Sequence, residues 1–189
     1  MQLDEEDLFL LLKAIRFASL KHNNHRRKDA DESPYINHPI AVAEMLWRVG
    51  KVRDMATIIS GILHDTIEDT DTTPEDLRKE FNSQICSVVE EVTDDKGLSK
   101  EDRKRLQVEN AHHKSLRARH IKLADKICNI QDLAISPPSD WTMDRKIDYI
   151  RWSVDVINEI RGTNADLEMY FDSLCSETEQ LVTAAKKGR

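Results

Sequence analysis

The sequence has little of what stabilises small secreted domains or anchors a chain in a membrane. Its three cysteines are an odd number without a Cys-x-x-Cys spacing, so neither a disulfide framework nor a zinc knuckle is expected. No apolar run approaches the roughly 20 residues needed to cross a bilayer. The first residues, MQLDEEDLFLLL, carry acids where a signal peptide needs positive charge. We therefore expect a soluble, cytoplasmic protein with free thiols and no membrane partner.

Glycine and proline are also scarce, with five of each in 189 residues. This scarcity argues against long linkers and low-complexity segments, and the length fits a single domain. The net charge is −7, from 35 acidic and 28 basic residues. An acidic balance excludes a general nucleic-acid binder, which needs a basic face against the phosphates. It does not exclude a small phosphorylated ligand, because local charge can oppose net charge.

Apolar residues recur at helical spacing along the chain, and no strand pair with a hairpin turn is recognisable. The predicted fold class is therefore all-α. Polar residues 22–33 are expected to form a loop after the first helix. The predicted helices are 4–21, 39–49, 54–68, 74–81, 82–93, 100–110, 116–134, 142–161 and a last one that begins at Asn164.

A cluster of acids ends the most apolar of these predicted helices. On one continuous helix, His64 and Asp65 would share a face with Glu68, four and three residues further on, and Asp69 lies four residues beyond Asp65. A histidine and three carboxylates converging on one helix end would repel each other strongly without a cation. A divalent metal ion is the simplest compensation.

Two further segments supply candidate ligands for such an ion. His38 stands directly before Pro39, and Asp125 lies within an apolar helical stripe. With His64 and Asp65 they form a set of two imidazoles and two carboxylates without a thiolate. This set suits Mn²⁺, Fe²⁺ or Mg²⁺ better than a structural zinc ion.

The sequence around these residues resembles the RelA/SpoT-type hydrolases of the HD-domain family. The order His38, His64-Asp65, Asp125 is that of HD-domain metal-dependent phosphohydrolases. The resemblance is narrowed by residues 26–28 (RRK), 34–39 (PYINHP), 63–70 (LHDTIEDT), 91–96 (EVTDDK) and 122–126 (KLADK). It covers roughly residues 7–175 and is strongest to the stand-alone animal branch, the metazoan SpoT homologues. At 189 residues, the sequence is too short to include the synthetase and regulatory domains of the long bacterial enzymes.

The resemblance implies a single HD-type hydrolase domain over residues 1–189 that binds one Mn²⁺ ion. Its implied reaction is hydrolysis of guanosine 3′,5′-bis(diphosphate) (ppGpp) to GDP and pyrophosphate, and a second implied activity removes the 2′-phosphate of NADPH. Glu68 and Asp69 would assist the attacking water. The implied metal ligands are His38, His64, Asp65 and Asp125, and the implied nucleotide contacts are Arg27, Lys28, Asn129, Trp141, Arg145 and Tyr149.

Two alternatives stay open at this point. Another HD-domain phosphohydrolase, such as a nucleotidase, would keep the metal site but reject a pyrophosphorylated substrate. A non-catalytic nucleotide-binding regulator could use the same scaffold, although the retained acids weigh against it.

The oligomeric state is left undecided by the sequence. The remaining histidines have no spacing that recruits them to the site, and we expect them at the surface: His22, His25, His112, His113 and His120.

Overall fold

The computed structural model describes residues 4–29 and 31–187, and the chain within these ranges is mainly helical. No strand is present there, and only an isolated bridge joins Arg26 to Pro34. The all-α prediction is thus confirmed. Residues 1–3 of the N-terminal segment and residue 30 of the predicted loop lie outside the described residues. The helices are α1 (Glu5–Lys21), α2 (Asn37–Arg48), α3 (Met55–Leu63), α4 (Thr66–Asp69), α5 (Pro74–Glu80), α6 (Ser83–Val92), α7 (Lys100–Glu109), α8 (Leu116–Ile135), α9 (Met143–Asn158) and α10 (Ala165–Lys187).

Helix α3 forms the centre of the bundle. All of its residues from Thr57 to Leu63 are buried, and it packs against α1, α2, α6 and α8. A Cβ atom on Gly61 would lie 3.1 Å from Leu46 Cδ1, so a glycine here lets α2 approach closely. Each isoleucine or leucine buried in this way contributes about 1.5–3 kcal/mol. This packing fixes the carboxyl end of α3, where the candidate site begins.

Several helix starts were predictable because a capping side chain precedes them. Thr73 accepts a hydrogen bond from the Asp76 amide in a complete capping box, with Pro74 as the first helical residue. Ser99 and Thr142 cap α7 and α9 by accepting from the amides of Asp102 and Arg145. Each such cap is worth about 1 kcal/mol. No helix within the described ranges is both long and apolar enough to span a membrane.

The continuous helix predicted over 54–68 is wrong, because the chain leaves the helix at His64 and Asp65. The imidazole Nδ1 of His64 hydrogen-bonds Gly61 O at 2.8 Å, and the Thr66 hydroxyl donates to Leu63 O at 2.6 Å. These side chains take carbonyls of the last turn, so α3 ends at Leu63 and the short α4 begins only at Thr66. The argument from a shared helical face therefore fails, although the same side chains still meet in one cavity.

The start of α2 also differs from the prediction, since it begins at Asn37 and not at Pro39. A turn precedes it, in which the Asn37 amide donates to Pro34 O and the His38 amide to Tyr35 O. His38 consequently belongs to the first helical turn and is buried.

Candidate metal and nucleotide site

The four predicted metal ligands meet where α2, the break between α3 and α4, and α8 come together. His38, His64 and Asp65 offer ligand atoms that all lie within 4.8 Å of one another. Asp125 Oδ1 lies 3.1 Å from His38 Nε2 and 3.9 Å from His64 Nε2. Residues separated by up to 87 positions in sequence are thus brought to one point.

The His64 ring is oriented for a ligand. Its Nδ1 is engaged by Gly61 O, so its Nε2 faces the carboxylates. This Nε2 is 3.0 Å from Asp65 Oδ2, yet it is buried without a well-formed hydrogen bond to any described residue. A buried nitrogen without a partner costs free energy unless something satisfies it. A cation between the two imidazoles and the carboxylates would do so, and the donor set fits a divalent ion.

The electrostatics of the cluster agree with a cation site. Burial favours the neutral imidazole of His64, but the charges of Asp65 and Asp125 outweigh it and raise the pKa of His64 to about 9. Burial likewise opposes ionisation of both carboxyls. His64 nevertheless holds the pKa of Asp65 well below its usual range, and Lys126 and His38 do the same for the pKa of Asp125. The carboxylates therefore stay charged and require positive partners.

Both predicted catalytic acids lie on α4 and line the same cavity of about 160 Å³. Glu68 Oε2 accepts a hydrogen bond from the Asp94 amide at 2.9 Å, and its Oε1 lies 3.8 Å from the guanidinium of Arg103. Burial, with the charges of Asp94 and Asp65, raises the pKa of Glu68. Asp69 forms an ion pair with Lys96 at the cavity edge.

A second cavity, of about 250 Å³, adjoins the first and contains five of the six predicted nucleotide contacts. Tyr35 and Asn129 line both cavities and so form the boundary between them. Arg145, the sixth contact, lines a neighbouring groove of about 540 Å³ together with Lys100, Arg103 and Lys104. The five contacts in the second cavity are Arg27, Lys28, Asn129, Trp141 and Tyr149.

Cations and aromatic rings alternate along these walls. The guanidinium of Arg145 lies 4.3 Å from the ring centre of Trp141, and the Trp141 and Tyr149 rings are 5.5 Å apart. Arg27 donates to Asn129 Oδ1 at 3.1 Å and is ion-paired with Asp132. Such walls can neutralise phosphates and stack on a purine.

Asn129 has a second contact that its predicted nucleotide role did not anticipate. Its Nδ2 donates to Asp125 Oδ1 at 2.6 Å, so this side chain also orients a candidate metal ligand. Lys126 lies on the other side of the carboxylate, 3.1 Å from Asp125 Oδ2, and is itself buried. The spacing of Asn129 four residues after Asp125 places the two side chains on one helical face and was the sequence signal for this contact.

Sequence reasoning missed several residues at this site. Tyr35, Lys122 and Lys126 line the metal cavity. The two lysines are buried charges in an apolar stripe, which is the same signal that identified Asp125. The expectation that the other histidines lie at the surface is wrong for His22, which is 2% exposed because its ring stacks on Tyr35. His112 and His113 are exposed as expected, while His25 and His120 are half-buried.

Comparisons with known proteins bear on this site. The sequence profile of the HD domain matches residues 14–150. A guanosine-3′,5′-bis(diphosphate) 3′-pyrophosphohydrolase MESH1 from Drosophila melanogaster is 44% identical over 163 residues, which cover 86% of this chain and 91% of the relative. The protein of the same description from Homo sapiens is 47% identical over 158 residues, covering 84% and 88%.

A solved structure is similar as well. It is described as a metazoan ortholog of SpoT that hydrolyses ppGpp and plays a role in starvation responses. The TM-score is 0.88 at 41% sequence identity, and the superposition covers 94% of this chain and 97% of the other. The fold is therefore shared with that protein.

Proposed function

Because this chain belongs to the HD-domain family, and within it to the branch of the animal MESH1 proteins, we propose that it hydrolyses ppGpp to GDP and pyrophosphate. One observation carries the proposal. Two imidazoles and two carboxylates converge beside Glu68 and Asp69, in a cavity that shares Tyr35 and Asn129 with a second one lined by cations and aromatic rings.

We propose that His38, His64, Asp65 and Asp125 hold one Mn²⁺ ion. The support is the set of nitrogen and oxygen donors without thiolate, and the buried Nε2 of His64, which makes no well-formed hydrogen bond to any described residue. When bound, such an ion polarises a phosphoryl oxygen and makes a water molecule more acidic. The protein side chains supply the remaining chemistry.

Glu68 is the proposed general base. Its raised pKa brings the carboxylate closer to the basicity that proton abstraction needs at neutral pH. The Asp94 amide fixes one carboxylate oxygen, so the side chain is oriented before the substrate arrives. Asp69, paired with Lys96, is the proposed second acid, which orients the attacking water. Glu68 takes a proton from the attacking water as the water oxygen bonds to phosphorus, the bond from phosphorus to the ribose 3′ oxygen breaks, and a proton is returned to that oxygen, so that GDP and pyrophosphate are released.

The cationic and aromatic walls are the proposed nucleotide site. Arg27, Lys28 and Arg145 would neutralise phosphates, and Trp141 and Tyr149 would offer faces to the purine. Asn129 would contact the nucleotide from the boundary between the cavities. This arrangement also explains how a protein of net charge −7 can take a highly charged anion.

The groove beside Arg145 favours a second candidate activity, removal of the 2′-phosphate of NADPH. A dinucleotide is longer than ppGpp, and a groove of about 540 Å³ with three further cations can accommodate its second half. The 2′-phosphate of NADPH would then lie in the same metal cavity as the 3′-diphosphate of ppGpp.

We further propose that residues 1–189 form one HD-type hydrolase domain in the cytoplasm. The alignment with the Drosophila relative covers 86% of this chain and 91% of that protein, which supports one domain of this type. All three cysteines are free and buried, and free thiols are typical of a reducing compartment.

The deciding experiment measures phosphate and pyrophosphate release with added Mn²⁺. We expect pyrophosphate from ppGpp, and free phosphate from NADPH if the second activity is present. Phosphate release from nucleoside monophosphates but none from ppGpp would favour a nucleotidase. Tight binding of ppGpp without any release would favour a non-catalytic regulator.

A further inference from the structure

Tyr35 forms the boundary between the metal cavity and the nucleotide cavity, and the proposed reaction gives it no role. Its hydroxyl donates a hydrogen bond to Asp65 Oδ2 at 2.6 Å. This distance is shorter than that of most O–H···O bonds and is typical of a charge-assisted bond to a carboxylate. The hydrogen bond connects a fixed aromatic residue to one of the candidate metal ligands.

The ring of Tyr35 is held from several directions. His22, which is almost completely buried, stacks on it with ring centres 4.8 Å apart and planes 32° apart. His25 meets it edge-on at 6.3 Å, and the Nδ1 atoms of His22 and His25 lie 3.1 Å apart. The Arg27 guanidinium lies 5.6 Å from the ring centre. A hydroxyl on a ring so confined has little freedom to leave its partner.

The backbone of Tyr35 is fixed as well. Its amide donates to His25 O at 3.1 Å, and the neighbouring Pro34 forms the bridge with Arg26. These contacts within the segment between α1 and α2 therefore hold the hydroxyl in one place. His22 and His25, which had no function in the site, form part of this support.

We propose that Tyr35 is a positioning residue that orients Asp65 for the metal ion. Its hydrogen bond holds one carboxylate oxygen and so fixes the rotation of the carboxylate, which presents the group to the cation in a single orientation. Partners of this kind, one step outside the ligands, commonly change metal affinity by roughly 10- to 100-fold when they are removed. The inference rests on the proposed metal site.

The test is Tyr35→Phe in the full-length protein, with Tyr170→Phe as the matched control. Phenylalanine keeps the ring contacts and removes only the hydroxyl. Tyr170 also loses one hydrogen bond, which its hydroxyl accepts from Gln131 Nε2 at 2.8 Å, but it lies on α10 and is 38% exposed. Free Mn²⁺ is followed by electron paramagnetic resonance during titration, and Tm is measured in excess chelator.

We expect the Kd for Mn²⁺ to rise roughly tenfold in Tyr35→Phe and to stay unchanged in Tyr170→Phe. In chelator, Tyr35→Phe should melt within a few degrees of the wild type. An unchanged or lower Kd overturns the positioning role, and so does a variant that unfolds in chelator, because the hydroxyl would then serve the fold. If the wild type hydrolyses ppGpp and binds Mn²⁺ while Tyr35→Phe binds it equally well, only this inference fails. A wild type that binds no Mn²⁺ overturns both.

Discussion

The backbone amide of Asp94 donates a hydrogen bond to Glu68 Oε2 at 2.9 Å. This hydrogen bond joins the segment after α6 to Glu68 on α4, although 26 positions separate the two residues in sequence. Because the donor is a backbone amide, it is retained whatever side chain stands at position 94. It can also bond any side-chain oxygen in the place of Glu68 Oε2, so Glu68 can be replaced by a residue that keeps this orientation but has no carboxylate.

Glu68→Gln is the first variant to examine, because its amide oxygen can still accept from the Asp94 amide while the base is lost. We expect Mn²⁺ affinity to be nearly unchanged and kcat to fall by roughly 10²- to 10⁴-fold. Steady-state release of pyrophosphate and Mn²⁺ titration provide the two measurements. The control is Glu75→Gln, an exposed glutamate on α5. Full activity in Glu68→Gln would remove Glu68 from the reaction.

The raised pKa of Glu68 predicts the acid side of the pH profile. A base must be deprotonated, so kcat/KM should rise with pH through a pKa above the ordinary glutamate value of 4.5. Burial is the main cause of the shift, and the charge of Asp94 contributes to it. Asp94→Asn removes that charge and keeps the backbone donor, so the rise in activity should move to lower pH. A movement to higher pH, or none, would contradict this account.

Local signals in the sequence predicted much of the fold. Thr73, Ser99 and Thr142 cap helices as expected, since a cap depends on residues only three positions apart. The break at His64 was missed because its cause lies in side chains that take backbone carbonyls, and helical spacing does not reveal this competition. The apolar pattern simply continued past the point where α3 ends.

The composition of the site was more predictable than its contacts. The types of candidate ligand follow from chemistry, and the four predicted side chains do converge in space. The burial of His22 was not predictable, because it depends on a ring 13 positions away that the loop folds back. The ion pair of Lys126 with Asp125 was equally hidden, since adjacent residues on a helix ordinarily point in different directions.

That ion pair leads to a prediction for stability. The Lys126 side chain is only 4% exposed, so Asp125→Ala leaves a buried ammonium group without its carboxylate. We expect loss of Mn²⁺ binding and a decrease of about 3 kcal/mol in the free energy of unfolding, measured by urea denaturation in chelator. The double variant Asp125→Ala/Lys126→Met should recover most of the stability and none of the metal binding. Equal stability of the two variants would show that the buried charge is not the cause.

The three cysteines should be unreactive in the folded protein. Burial raises the pKa of Cys86 to about 11 and that of Cys175 to about 12, and it raises the pKa of Cys128 as well. Because the thiolate is the reactive form, a disulfide reagent at neutral pH should label the native protein very slowly. All three thiols should react after denaturation in guanidinium. Rapid labelling of a native cysteine would indicate local opening of its helix.

Trp141 and Trp47 offer a matched pair for testing the nucleotide site. Each indole lies under an arginine, Arg145 at 4.3 Å and Arg53 at 4.0 Å, and both are half-buried. Only Trp141 lines the cavities beside the metal cluster. If its ring stacks on the purine, Trp141→Leu should raise KM roughly tenfold and change kcat little, because stacking is worth about 1–3 kcal/mol per base.

Trp47→Leu loses the same kind of arginine contact away from the cavities, so its KM should equal that of the wild type. A general loosening of the fold would instead affect both variants, and a comparison of their melting temperatures would reveal it. An equal KM in the two variants would place the purine elsewhere, with the groove beside Lys104 as the next location to examine. A loss of kcat alone in Trp141→Leu would mean that the indole acts on the reacting phosphate and not on the base.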